Sequence, residues 1–175
     1  MNLKNWPIIP FIVIIALVAG LLFWEKSQIR KNKDSEVHYH AGFQVYIDDE
    51  LQDFSDVKFM HIEPCSEEEH EEETEEHKQI ELAHLHDGVG DVVHVHRNGA
   101  TWGDLFRNIN FSVSENVAAY VNGEPVENFL SYPIASYDSV IIIQGEINDL
   151  NKKLESAVTR EHMIEAEAKS ETCGS

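Results

Sequence analysis

Residues 83–96 read AHLHDGVGDVVHVH, and this stretch decides the fold. On both sides of residues 87–91, apolar and imidazole side chains alternate with a period of two, which is typical of a strand that buries one face. The intervening residues are Asp, Gly, Val, Gly and Asp, a composition that favours a tight turn. The stretch therefore predicts a β-hairpin with a His-x-His doublet on each arm.

The same periodicity predicts strands on either side of the hairpin. Residues 38–47, HYHAGFQVYI, alternate so that His38 and His40 share the polar face of a half-buried strand. Residues 58–62 are a candidate short strand, and residues 117–121 form another that ends in an Asn-Gly turn. Residues 139–143, SVIII, are continuously apolar from the second position onward and are expected at the centre of a sheet.

Helices and an acidic run complete the expected organisation. Thr101 is placed to cap a short helix over residues 102–108. Eight of the ten residues 67–76 are Glu, so residues 67–78 are expected to be a solvated loop or a frayed helix. A thin apolar stripe predicts a helix over residues 148–169, within an acidic, helical or disordered tail of residues 148–175. The main domain is then residues 37–147.

The N-terminal residues 7–24, PIIPFIVIIALVAGLLFW, contain neither a charge nor an amide side chain. Their length is close to the roughly 20 apolar residues that cross a bilayer core, and Trp6 and Trp24 stand where indoles prefer the interface. Residues 1–24 are therefore predicted to be a membrane anchor, followed by a charged linker over residues 25–36. A cleaved signal peptide is the weaker interpretation, because no A-x-A-like site follows the run.

Two rules disagree on the orientation of this anchor. Four basic residues follow the span within the linker, whereas only Lys4 precedes it, and the positive-inside rule would then leave the domain in the cytoplasm. A short segment ahead of a single apolar span is also the layout of an uncleaved signal anchor, which sends the domain outward. The sequence favours a single-pass protein of the cell membrane and leaves its orientation to other observations.

Charge and cysteine content exclude several functions. The 175-residue chain has 13 Lys+Arg against 32 Asp+Glu, a net charge of −19, which disfavours binding to nucleic acid and leaves cations as partners. Two cysteines, Cys65 and Cys173, without a C-x-x-C motif, cannot build a disulfide-rich scaffold or a four-thiolate zinc site. No protein partner is indicated.

Histidine doublets are the main chemical signal. The His-x-His pattern occurs three times among ten histidines, whereas random placement predicts about 0.6 occurrences. Residues i and i+2 of a strand project from one face, so both imidazoles can reach one ion, and neutral imidazole binds zinc and copper well. The candidate metal ligands are His84, His86, His94 and His96 first, His38 and His40 next, and Cys65 with His61 as a softer pair.

Three other interpretations of the histidines stay open. They can be solvated side chains on the polar faces of exposed strands. They can hold a catalytic zinc with three imidazoles and a water, as in metal-assisted hydrolysis or hydration, with Asp87, Asp91 or Glu81 as the base. They can also form a metal-free interaction module that responds to pH near the ordinary histidine pKa of about 6.5.

The pattern HYHAGFQVYI, then a cysteine, then AHLHDGVGDVVHVHRNGATWGDLF, lies within residues 37–145, the part of the chain that the following resemblance covers. It resembles a family of uncharacterised, membrane-anchored bacterial and archaeal proteins with an opening H-x-H strand, an L-H-x-H-D segment and a T-x-G-D-L-F helix start. The resemblance implies a domain outside the cytoplasmic membrane, and it implies no activity.

Residues 92–145 also resemble a β-grasp domain in the order of strand, threonine-capped helix, strand with an Asn-Gly turn, and final strand. Sulfur-carrier proteins share this order but act through a C-terminal Gly-Gly, which this chain replaces with Gln144-Gly145-Glu146. The expected fold is therefore α+β: an N-terminal transmembrane helix, a small β-grasp-like mixed sheet and a C-terminal helix.

Overall fold

The structure is a computed structural model that describes residues 36–61, 74–114 and 117–170. The predicted membrane span 7–24, both cysteines and most of the Glu-rich run lie outside the described residues. Among the helices of the described ranges, none combines the length and the hydrophobicity needed to cross a membrane.

The described chain alternates short strands and helices. In chain order, the elements are strand β1 (Glu36–Ile47), strand β2 (Glu50–Leu51), a 3-10 turn (Val57–Phe59), helix α1 (Glu75–Leu82), strand β3 (Val92–Arg97), helix α2 (Trp102–Asn108), strand β4 (Ala118–Val121), strand β5 (Glu124–Val126), a second 3-10 turn (Phe129–Ser131), strand β6 (Ser139–Gln144), helix α3 (Leu150–Glu155) and helix α4 (Arg160–Ser170). This composition confirms the α+β class.

The strands form one mixed sheet in the order β2-β1-β6-β4-β5, and β3 pairs with the N-terminal half of β1. β1 and β6 run parallel, and every other pair is antiparallel. β6 lies between β1 and β4, as its continuous apolar run predicted, and Val140 and Ile142 are completely buried. A strand that is apolar on both faces requires a cover on both faces of the sheet.

One face of the sheet, which we call the core face, carries the main hydrophobic core. Phe43 of β1 packs here against the aromatic rings of Trp102 and Phe106 from α2. The helix is anchored by a capping box, in which the Thr101 hydroxyl accepts from the Asp104 amide and the Asp104 carboxylate accepts from the Thr101 amide. The cap predicted from the sequence is thus confirmed.

The opposite face, which we call the histidine face, lies beneath the C-terminal helices. A Cβ atom on Gly42 of β1 would stand 2.4 Å from the Val158 Cβ and 3.0 Å from the Met163 Cε, so only glycine admits this close approach. Farther along β1, Tyr46 packs against Leu150 and other side chains of α3. From His40 to Tyr46 the alternation of β1 therefore separates two largely buried faces, and the prediction of a half-buried strand is wrong for this part of β1.

Three expected elements differ in detail. Residues 84–86 form only isolated bridges, His84 to His94 and Leu85 to Met60, because α1 ends immediately before them. The candidate strand at 58–62 begins inside the 3-10 turn. Residues 75–78 are helical, since the Thr74 hydroxyl accepts from the His77 amide and two glutamates favour the helix N-terminus.

The C-terminal segment contains two helices where one was expected. The break lies at residues 156–159, and the Thr159 hydroxyl accepts a hydrogen bond from the His162 amide at the start of α4. Ile147, which precedes the predicted helix, is 49% exposed, whereas Val158 and Met163 within it are buried. The division lets each helix cover a different part of the histidine face.

Candidate metal centre

The sheet register brings histidines from three chain segments side by side. His40 of β1 lies directly opposite His94 of β3, and His94 in turn pairs with His84 through two backbone hydrogen bonds of 3.0 and 2.9 Å. Directly opposed residues in antiparallel pairs project from the same face. The three imidazoles therefore form a row across the histidine face.

Further histidines extend this row into one continuous group. The ring centres of His86 and His94 are 3.5 Å apart, those of His38 and His96 are 4.8 Å apart, and those of His61 and His84 are 5.4 Å apart. We call the whole group the histidine cluster, which consists of His38, His40, His61, His84, His86, His94 and His96.

His38, His40 and His94 have the tightest arrangement of ligand atoms. One ring nitrogen from each lies within 4.8 Å of the other two, and His40 Nε2 is 2.6 Å from His94 Nδ1. Three nitrogens bound to one tetrahedral zinc ion stand about 3.4 Å from one another, because each Zn–N bond is about 2.0–2.1 Å long. His38 is exposed, so its ring can rotate toward the other two. These three histidines could coordinate a transition-metal ion.

Burial keeps the central rings uncharged. His40 and His94 are each 1% exposed, and His84 is 9% exposed. Burial, reinforced by neighbouring histidines, lowers the pKa of His40 to about 4 and that of His84 to about 3, although Glu167 opposes the shift at His40 and the Ile80 carbonyl opposes it at His84. The same causes hold the pKa of His94 well below its ordinary value. At neutral pH these rings therefore present lone pairs to an ion.

Acceptor groups stand behind three histidines of the cluster at their Nδ1 atoms. The Ile80 carbonyl is 3.2 Å from His84 Nδ1, the Asp87 carboxylate is 2.5 Å from His86 Nδ1, and Glu167 Oε1 is 3.9 Å from His40 Nδ1. An acceptor at Nδ1 favours a proton on that atom and leaves the lone pair on Nε2, the usual arrangement behind a metal-bound histidine. These outer groups thus favour Nε2 as the ligand atom.

Sequence reasoning did not find Glu167. This residue lies on α4, and its Oε2 accepts a hydrogen bond of 3.0 Å from the Tyr137 hydroxyl. Neither residue is close in sequence to His40, and no local motif links a carboxylate on the C-terminal helix to a strand at the start of the domain. Only the packing of α4 on β1 brings them together.

The histidines outside the cluster lie next to carboxylates or outside the described residues. His77 lies on α1 within 3.7 Å of Glu81, and His162 lies on α4 within 3.0 Å of Asp91. Glu81 also bonds Arg97 at 2.5 Å, whereas Asp87, another candidate base, contacts His86 of the cluster. Cys65 and His70 lie outside the described residues.

Comparisons with protein-family models, curated proteins and solved structures give no match to this chain. The geometry and chemistry of the histidine cluster are therefore the basis for assigning a function.

Proposed function

We propose that the domain binds a transition-metal ion, zinc or copper, through His38, His40 and His94. The observation that carries this proposal is the contact between His40 Nε2 and His94 Nδ1 at 2.6 Å, made by two rings that are almost completely buried. Two uncharged imidazoles at this distance share one N–H proton. When that proton moves to the other nitrogen of the donating ring, both facing nitrogens have lone pairs that can bind an ion.

The energetic cost of the metal-free arrangement supports the same proposal. His40 Nδ1 forms no hydrogen bond with any of the described residues, although it is buried. Leaving a buried polar atom unsatisfied costs about 1–3 kcal/mol. A bound cation would strengthen the attraction between His40 Nδ1–H and Glu167, which approaches to 3.9 Å, and would thereby offset part of this cost.

The donor set supports zinc or copper. Imidazole is a ligand of intermediate softness that suits both ions, whereas calcium and magnesium prefer oxygen. No carboxylate of the described residues belongs to the three-residue ligand group. Cys65 would add a soft ligand favouring zinc or Cu(I), and its participation stays a prediction.

The cellular setting remains part of the proposal. The apolar run 7–24 supports a single-pass membrane anchor, and the resemblance of residues 37–145 to a membrane-anchored family supports an extracytoplasmic domain. In that setting the domain would buffer or deliver the metal at the cell surface. If the domain is extracytoplasmic, protease added to intact cells should cleave it. Protection of the domain from the protease would contradict the extracytoplasmic orientation.

A β-grasp-like architecture is a further part of the proposal. The parallel β1/β6 pair, flanked by the antiparallel strands β3 and β4, with α2 on the core face, supports it. In this proposal β1 is the opening strand of the β-grasp-like order. It precedes residues 92–145, the segment that the sequence compared with a β-grasp domain.

Elemental analysis of the full chain tests the proposal. The protein is purified in detergent with an affinity tag that contains no histidine and without chelator, and it is compared with the His38→Ala/His94→Gln variant. Zinc or copper at close to a stoichiometric amount is expected in the parent and a large loss in the variant. The exposed His77→Ala substitution on α1 is the matched control and is expected to retain the metal. Absence of metal from the parent after reconstitution would contradict the proposal.

A further inference from the structure

The histidine cluster contains more imidazoles than one ion uses. Seven rings form the cluster, whereas a tetrahedral zinc ion takes four ligands in all. The proposed site uses His38, His40 and His94. The buried imidazole of His84 and the partially buried imidazoles of His86 and His61 stand in the same cluster without a role in that site.

His94 lies between two sides of the cluster. Its ring centre is 4.0 Å from that of His40 on one side, and 3.5 and 6.0 Å from those of His86 and His84 on the other. The backbone explains this position, because β3 pairs with β1 along one edge and bridges to His84 along the other. Since His94 Nδ1 faces His40, the second ring nitrogen, Nε2, is not used in that contact.

His84 and His86 carry the same outer arrangement as a metal-bound histidine. Each has its Nδ1 atom next to an acceptor, the Ile80 carbonyl for His84 and the Asp87 carboxylate for His86. A proton held on Nδ1 leaves the Nε2 lone pair as the ligand. Two residues on one short segment therefore present nitrogen ligands of the same kind, although neither belongs to the three-residue group.

The ring spacing fits a shared ion. Two imidazoles bound to one tetrahedral zinc ion at about 2.0–2.1 Å have ring centres about 5 Å apart. The observed separations are 5.6 Å between His84 and His86 and 6.0 Å between His84 and His94, and His61 lies 5.4 Å from His84. The rings of His86 and His94, at 3.5 Å, are closer than this spacing, so the partially exposed His86 ring must rotate away from His94 when the ion binds.

We infer that the histidine cluster holds a second transition-metal ion, ligated by His84, His86 and His94 with His61 as a fourth ligand. His94 then binds the first ion through Nδ1 and the second through Nε2 as an imidazolate, and its remaining ring proton is released to solvent. This inference rests on the proposed function, because it adds a second ion to the same cluster. The first ion binds on the side of the His94 ring that faces β1. The second ion binds on the side that faces residues 84–86.

Zinc stoichiometry separates the two positions. The full chain in detergent is saturated with zinc, freed of unbound metal by gel filtration and analysed for metal per chain. Two ions are expected in the parent. One is expected in the His84→Ala/His86→Ala variant and one in the His38→Ala/His40→Gln variant. His77→Ala and Glu165→Gln, both exposed, are matched controls that should retain two ions.

The outcomes distinguish failure of this inference from failure of the proposed function. One ion in the parent, unchanged in the His84→Ala/His86→Ala variant, would overturn the second position and leave the first intact. No ion in the parent would overturn both. Two ions in both the parent and that variant would assign the extra ion to another part of the chain and overturn the inference. If the double variant loses its far-ultraviolet circular dichroism, the single His86→Gln substitution, at a partially exposed residue, replaces it with the same expected loss of one ion.

Discussion

The two faces of the sheet differ in what their burial requires. On the core face, Phe43 contacts Trp102 and Phe106, and apolar side chains meet apolar side chains without further partners. On the histidine face, the same strand buries the imidazole of His40 beside a helix that comes from the far end of the chain. Burial on the first face is favourable by itself, whereas burial on the second needs an ion or outer acceptors to compensate the polar atoms.

The largest expected loss of stability comes from creating a cavity in the core face. Phe43→Ala removes a ring that is 1% exposed, and such a cavity costs about 3–5 kcal/mol of unfolding free energy. Urea denaturation with and without saturating zinc measures it. Because the ring lies on the face opposite the histidines, zinc should stabilise parent and variant by the same amount. A loss below about 1 kcal/mol would contradict the assigned core.

Overpacking the contact between β1 and the C-terminal segment on the histidine face should cause the next largest loss of stability. Gly42→Ala places a Cβ atom 2.4 Å from the Val158 Cβ, and overpacking of this kind costs about 1–3 kcal/mol. The same urea measurement applies. The double variant Gly42→Ala/Val158→Gly, which removes the contacted atom, should be no less stable than Val158→Gly alone. Additive losses would show that the contact does not limit the approach of the two segments.

The contrast also explains how far the sequence predicts the fold. The core face follows from local patterns: period-two alternation in β1 and β3, the Thr101 cap of α2 and the continuous apolar run of β6. Each pattern lies within a few residues of the element that it specifies. The secondary structure around this face and its buried residues were therefore predictable.

The histidine face does not follow from local patterns. The doublets identified which residues belong to the cluster, and strand periodicity predicted which of them share a face. Their burial depends on Gly42, which admits the segment around Val158, and on α4, which carries Glu167. Such a contact between distant elements has no signature in either segment alone, so the sequence predicted a half-buried strand.

The outer carboxylate offers a finer test of the histidine face. Glu167→Gln keeps the shape of the side chain but weakens the acceptor near His40 Nδ1, and loss of such a group lowers metal affinity by about 10–100-fold. Competition with a chromophoric zinc chelator measures the affinity. Glu165→Gln, an exposed change on the same helix, is the matched control and should leave it unchanged. Equal affinities for the parent and Glu167→Gln would show that the carboxylate does not orient the ligand.

Per histidine and per pH unit, the smallest expected effect is the pH dependence of the metal-free protein. In the folded state the pKa of His40 is about 4 and that of His84 about 3, whereas both have values near 6.5 when unfolded. The unfolded chain therefore binds more protons below about pH 6.5, and stability falls as the pH decreases from there toward the folded values. Each such histidine contributes up to about 1.4 kcal/mol per pH unit.

Urea midpoints of the chelator-treated chain at pH 7, 6 and 5 measure this dependence. The stability conferred by the uncharged rings is fully present above about pH 6.5 and decreases below it, and the histidine face should account for the decrease. Replacing the exposed His77 with Gln should leave the slope unchanged, whereas His84→Gln should reduce it because one titrating ring is removed. Phe43→Ala lowers every midpoint without altering the slope, since the core face contains no group of this kind. A flat profile between pH 7 and 5 in the parent would mean that the buried imidazoles are protonated as readily in the folded protein as in the unfolded chain.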